Sequence, residues 1–290
     1  MNFQIRYLTE YRYDGPVSDN LNALRVRPAT TSTQRCDDFQ FRTDPETRVQ
    51  SHRDYFGTEV IEFGIPKIHD HLTIDVRARV VTSEPAEPPE SSWEALGTPA
   101  YEEAAGEFLL PGPAEPPEGL LDGLVETTRA TTPLATLKLL CELIPDRFRY
   151  DQTATYVGST VEDLLRVGGG VCQDFVHLGL LLLRRHGIAA RYVSGYLWAA
   201  PADGSLDSME VHTHAWLEAL LPTEERGEPV WVGADPTNRR LAGETHVKIG
   251  HGRHYVDVPP IKGVYRGVAQ ATYEASVKLT RLDPATSARA

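Results

Sequence analysis

The chain has 290 residues, about two domains at roughly 150 residues each, and its 41% hydrophobic and 24% charged residues suit a chain that buries a core. Wholesale disorder and a membrane span are poor fits to that composition. Lys plus Arg number 29 against 41 Asp plus Glu, and the net charge of −12 repels phosphate backbones and anionic lipid, so neither nucleic acid nor membrane is expected as a partner.

The opening residues, Met1 to Tyr7, mix polar with apolar side chains instead of presenting a basic start and an apolar run, which suggests a cytoplasmic protein. Cys36, Cys141 and Cys172 are too few for a disulfide framework and too scattered for a zinc site. Over residues 1–83 apolar and polar positions alternate in short runs: Phe3, Ile5 and Tyr7; Phe39 and Phe41; Val60, Ile61 and Phe63; Leu72, Ile74, Val76 and Val80. Period two predicts antiparallel strands, with Asp14-Gly15-Pro16, Asp44-Pro45 and Phe56-Gly57 as separators, and a small β-sandwich as their packing. Residues 84–118 then hold nine Glu, eight Pro and no Lys or Arg, the composition of an acidic linker, in which Tyr101–Leu110 could form a short docked helix.

From residue 119 the period becomes helical. Leu120, Leu121, Leu124 and Val125 mark one helix, and Leu137 to Ile144, before Pro145, a second. A third is predicted over Val161–Val167 and a fourth over Cys172–Arg185, closed by Gly187. Strands are predicted at Ala189–Trp198, Val211–Leu221, Pro229–Ala234 and Val268–Leu279. Helices first and strands second describe an α+β domain over residues 119–290.

The segment Gly168-Gly169-Gly170-Val171-Cys172-Gln173-Asp174 sets a cysteine where a glycine turn meets an apolar helix. Free amides and the helix dipole favour an anion there, as a nucleophilic thiolate requires, and the same amides can hold an oxyanion. A buried structural cysteine after a glycine turn is the plain alternative. A thiolate needs a partner, and His214 lies in a strong strand pattern, sharing a face with His212 but set deeper, beside Ala215 and Trp216. Asp235 ends the next apolar strand, where it can fix an imidazole tautomer or simply begin an Asp-Pro turn. Cys, His and Asp together supply the parts for acyl transfer. Close spacing within His69/His71, His212/His214 and His246/His251/His254 invites a metal, but no Cys pair or His-Glu helix pattern accompanies it, so no metal or cofactor is expected. Gly168–Gly170 lacks the Lys-Ser or Lys-Thr of a phosphate loop, and Trp198, Trp216 and Trp231 suit a core or pocket wall.

In order along the chain, GGGVCQDFVHLG at 168–179, ARYVSGYL at 190–197, HTHAWLEALLP at 212–222 and VGADPTN at 232–238 resemble the transglutaminase-like superfamily, and within it the bacterial transglutaminase/protease-like branch. The segment HRDYFGT at 52–58 resembles that branch's β-rich amino-terminal region. The resemblance implies Cys172 as nucleophile, His214 as general base and Asp235 as the orienting acid. It also implies a papain-like α+β core, with the cysteine at a helix amino terminus against an antiparallel sheet, behind a β-sandwich-like domain (1–83) and a linker (84–118). Gly170, Val171, Gln173 and Asp174 are then expected around the oxyanion, Asp174 chiefly as a cap, and Tyr196, Trp216 and His254 as pocket wall. Three stretches depart from the expected pattern: Thr58 stands where Asn follows Phe-Gly, His254 where an acid follows Gly-Arg, and Arg166 and Val167 where papain-like enzymes carry an oxyanion glutamine.

The expected chemistry is cysteine-dependent acyl transfer on a peptide or amide through a thioester. Hydrolysis is preferred to protein-glutamine transamidation with an amine acceptor, because many bacterial members resemble proteases and nothing in the sequence points to the calcium regulation of the animal cross-linkers. A module that binds a peptide or partner without turnover is the rival from another class, and a metal-binding protein the third.

Overall fold

The computed structural model describes residues 1–112, 115–156, 158–199, 207–223 and 227–282. The amino-terminal strands are β1 (Asn2–Leu24), β2 (Gln34–Asp44), β3 (Val49–Arg53), β4 (Glu59–Ile65) and β5 (His69–Thr82). Helices α1 (Pro99–Ala105), α2 (Asp122–Thr128) and α3 (Pro133–Arg147) follow, then β6 (Arg149–Tyr150), α4 (Val161–Val167), β7 (Gly169–Gly170) and α5 (Cys172–Arg185). The remaining strands are β8 (Ala190–Leu197), β9 (Ser208–Val211), β10 (His214–Leu221), β11 (Val230–Asp235), β12 (Arg240–Leu241), β13 (His246–Gly252), β14 (Ile261–Arg266) and β15 (Ala271–Arg281). No helix among the described residues is long and apolar enough to cross a membrane.

The predicted alternation appears in β1, where Phe3, Ile5 and Tyr7 point into a core shared with Leu72, Ile74, Val76 and Val80 of β5. Asp14-Gly15-Pro16, expected as a separator, lies inside β1. The ladder to β5 shifts register between Arg12 and Val17, so these residues bend the strand without ending it. The first half of β1 pairs with β5 and β15, and the second half with β4 and β14, which curls one eight-stranded antiparallel sheet over its own core. β9 completes an edge by pairing with β15. The last predicted strand begins three residues later and ends two later than expected, and it runs beside β1 from Phe3 opposite Arg281 to Tyr13 opposite Ala271.

Within the acidic segment, Thr98 caps α1 and Pro99 occupies its first turn. Tyr101 is buried, and its hydroxyl donates to the Gly187 carbonyl at 3.2 Å and accepts from the Ala189 amide at 2.8 Å. These bonds fasten the segment to the turn between α5 and β8. α3 runs through Pro145 to Arg147 instead of stopping before it, because a proline in the last turn forfeits a single backbone bond.

The second sheet is antiparallel in the order β12-β11-β10-β8-β13. α5 lies on one face, packing Phe175, Leu178 and Leu182 against Ala215, Leu217 and Ala219. Gly179 permits that approach, since a Cβ there would meet Leu217 at 2.6 Å. The opposite face of the sheet carries the alternate residues His214, Trp216 and Glu218 of β10 and Trp231, Gly233 and Asp235 of β11.

Candidate active site

α4 is opened by a reciprocal cap between Thr160 and Asp163 and closed by Gly168 at φ +71°. Gly169 and Gly170 then run beside β6, and the chain enters α5 at Cys172, which is partly exposed. Asp174 is buried and holds this turn: its Oδ2 accepts from the Val171 amide at 2.8 Å and from Thr155 Oγ1 at 2.6 Å. A Cβ on Gly170 would lie 2.6 Å from the same oxygen, so only glycine fits there. Gln173 lines a cavity of about 260 Å³ with His177, Arg184 and His254.

His214 opens β10 and Asp235 ends β11, two strands that are neighbours in the sheet. His214 Nε2–H donates to Asp235 Oδ2 at 2.8 Å. The fully buried carboxylate is held from several sides: the amides of Thr237 and Asn238 donate to Oδ1 at 3.0 and 3.2 Å, and Asn238 Nδ2 donates to Oδ2 at 2.7 Å. A second imidazole joins them. His246, the first residue of β13, donates from Nε2 to Asp235 Oδ2 at 3.1 Å, while its Nδ1 accepts from the Gly243 amide at 3.2 Å, which fixes the tautomer.

With Nε2 on Asp235, the ring nitrogen of His214 left for Cys172 is Nδ1. Burial lowers the basicity of His214, but hydrogen bonds to Asp235 and Cys172 and their charges outweigh it and raise the pKa to about 9. Burial pushes Asp235 upward, yet the bonds from His214 and His246 hold it well below the usual carboxylate range. His246 itself is lowered by burial and stays neutral near pH 7.

The three residues that the sequence singled out, Cys172, His214 and Asp235, thus stand side by side, and Trp216 stacks on His214 with ring centres 6.3 Å apart. One expectation for the pocket wall changes. Tyr196 is packed in the core shared with the amino-terminal strands, and the tyrosines within electrostatic reach of Cys172 are Tyr150 and Tyr192. His254 lines the cavity beside Gln173 and stacks on His177 with ring centres 3.9 Å apart, over α5. Thr58 is buried against Gly250 of β13.

The strand pattern missed His246, because its position depends on β13 lying against β8, a pairing that the run HVKIGHG does not announce. The close histidine spacings separate in the fold: His251 meets Arg191 and His254 meets His177, while His246 goes to Asp235. His214, Asp235 and His246, whose ligand atoms all lie within 4.8 Å of one another, could hold a metal ion. Asn238 Nδ2 points a donor into the same space, 3.5 Å from His214 Nε2, which suits proton sharing better than a cation.

Residues 3–81 match the family model described as the bacterial transglutaminase-like N-terminal region, and residues 122–236 match that of the transglutaminase-like superfamily core. The chain is 32% identical over 289 residues to the uncharacterized protein Rv2569c of Mycobacterium tuberculosis, covering 95% of this chain and 91% of that protein. It is 31% identical over 282 residues to the uncharacterized protein ML0607 of Mycobacterium leprae, covering 96% of this chain and 98% of that one. A solved structure of a candidate cysteine protease from Cytophaga hutchinsonii shares the fold, with a TM-score of 0.74 at 21% identity over 98% of this chain and 91% of that one.

Proposed function

This chain belongs to the transglutaminase-like superfamily, and from that premise we propose that it is a cysteine-dependent amide hydrolase with Cys172 as nucleophile, His214 as general acid and base, and Asp235 as the orienting acid. The observation that carries the reading is the two-sided engagement of His214, with Asp235 on Nε2 and the Cys172 side chain within hydrogen-bonding reach of the same imidazole.

Cys172 sulfur attacks the amide carbon, a C–S bond forms and the carbonyl oxygen becomes an oxyanion. Val171 N–H is already taken by Asp174, so the amides of Cys172 and Gln173, in the first turn of α5, are the donors left to face that charge. As the intermediate collapses the C–N bond breaks, and protonated His214 gives its proton to the departing nitrogen. The thioester then accepts water, His214 takes the water proton, and the acid leaves as the thiol is restored. Asp235 keeps the imidazole in one tautomer throughout. The description of the Cytophaga relative as a candidate cysteine protease agrees with hydrolysis. The reading keeps the protein in the cytoplasm, where its three free cysteines stay reduced.

The test is to incubate the enzyme with casein and with N-acylated glutaminyl peptides, with and without hydroxylamine, and to assign the products by mass spectrometry. Carboxylate products that dominate without the amine, absent in Cys172→Ala, are expected. Amide or hydroxamate products that dominate at modest amine concentration would transfer the assignment to transamidation. Turnover that survives in Cys172→Ala overturns the mechanism.

A further inference from the structure

The sheet face that carries His214 continues along β10 through Trp216 to Glu218, and there it opens onto a cavity of about 660 Å³, a size typical of small-molecule sites. β8, β10, β11 and β13 form one wall, and residues 31–34, 82–83 and 85–89 form the other. Glu218 is the hub of a buried charge cluster. Arg191 Nε donates to its Oε2 at 2.6 Å, and Lys248 Nζ donates to Oε1 and Oε2 at 2.8 and 2.6 Å. The Arg191 guanidinium also lies 3.9 Å from the centre of the Trp231 ring and meets His251 Nε2 at 3.1 Å. Burial holds His251 neutral, so it adds no charge at neutral pH.

Two cations therefore face one carboxylate, and the three side chains are only 14%, 11% and 14% exposed for Arg191, Lys248 and Glu218. Glu87, the other acid among the described lining residues, and Glu84, whose carboxylate lies against Gly243 of the lining, are both exposed, so water screens them. A surplus buried charge is costly unless something of opposite sign shares the space. The surplus is a single charge, and the space beside it is walled by Trp216, Trp231 and Leu241.

We propose that this cavity is a binding site for a small organic monocarboxylate with an aromatic or apolar body. Its carboxylate meets Arg191 and Lys248, and its body lies against Trp216 and Trp231. A single negative charge balances the cluster, whereas phosphate would leave the tryptophan walls unused. His246 lines the same cavity, so the occupant rests against the ring that holds Asp235 from behind.

The test follows tryptophan fluorescence in Cys172→Ser, which prevents turnover of the probes. The probes are hippurate, its neutral amide hippuramide, and inorganic phosphate. Saturable quenching by hippurate is expected, with the amide and phosphate weaker by about tenfold or more, the range of a charge-assisted hydrogen bond. Arg191→Gln and Lys248→Met, each made in that background, leave one cation facing one carboxylate. Each should weaken hippurate by about tenfold while circular dichroism stays that of the parent. Equal binding of hippurate and hippuramide, tighter binding of phosphate, or hippurate binding unchanged in both folded variants overturns the site, as does the lack of any saturable signal. The comparison among probes uses unaltered cavity walls, so it decides the matter even where a variant fails to fold.

Discussion

Asp235 and Glu218 face the same side of the five-stranded sheet, and each is shared by two basic side chains. Asp235 takes His214 and His246, while Glu218 takes Arg191 and Lys248. At Asp235 the partners are imidazoles. His214 holds a proton up to about pH 9 and His246 stays neutral, so this cluster can pass a proton and remain intact. At Glu218 one partner is a guanidinium, which never releases its proton in a protein, so that cluster keeps a cation on the carboxylate at every pH. Similar geometry thus separates into proton movement at one end of the face and electrostatic anchoring at the other, and the cause is the side-chain pKa on each carboxylate.

The largest effect should come from removing the charge at the proton-moving end. Asp235→Asn keeps the shape but loses control of the tautomer, and kcat should fall by about 10³- to 10⁴-fold. The pH profile sharpens this prediction. In the proposed mechanism protonated His214 is the acid for the leaving nitrogen, so wild-type kcat should decline on the alkaline side with a midpoint near pH 9. In Asp235→Asn the residual activity should decline at lower pH, toward the ordinary histidine value, since the anion that raises His214 is gone. An alkaline midpoint that ignores the substitution would detach Asp235 from His214.

Much of the candidate site is legible in the sequence for a physical reason. Cys172, His214 and Asp235 all sit at element ends, where a glycine turn, a change of period or an Asp-Pro pair interrupts the hydrophobic pattern. What escapes is whatever depends on partners distant in the chain. His246 reaches Asp235 only because β13 docks beside β8, and β15 finds β1 across most of the chain. Alternation assigns Tyr196 to a face, yet it cannot say that this end of β8 is covered by the amino-terminal strands. Asp14-Gly15-Pro16 has turn chemistry, but strands on both sides keep β1 extended through it.

A smaller effect is expected at the second imidazole. His246→Ala removes one hydrogen bond to a buried carboxylate that keeps its other donors, so kcat should fall by about tenfold to a hundredfold. Cys172 should still react with iodoacetamide at a rate that depends on His214. An intact kcat would make His246 a packing residue only, and the asymmetry between the two imidazoles would vanish.

The smallest effect tests the opposite end and carries an opposite sign. Burial lowers Lys248 from 10.5 to about 8, against the attraction of Glu218, so between those values the unfolded chain binds more protons and the Lys248 contribution to stability rises with pH. His214 behaves in the reverse sense. Its pKa is raised from 6.5 to about 9, so its contribution is complete below 6.5 and is lost as pH climbs through 9. In Lys248→Met the alkaline gain disappears and Glu218 keeps Arg191 as its single counter-charge. The melting temperature should therefore fall more steeply between pH 8 and 10.5 than in wild type, by several degrees over the range. In Asp235→Asn the His214 contribution is lost, and the same curve should flatten between pH 6.5 and 9. Two variants on one sheet face that bend the stability curve in opposite directions would show that the clusters differ in the sign of their proton linkage, and parallel curves would show that burial alone governs both.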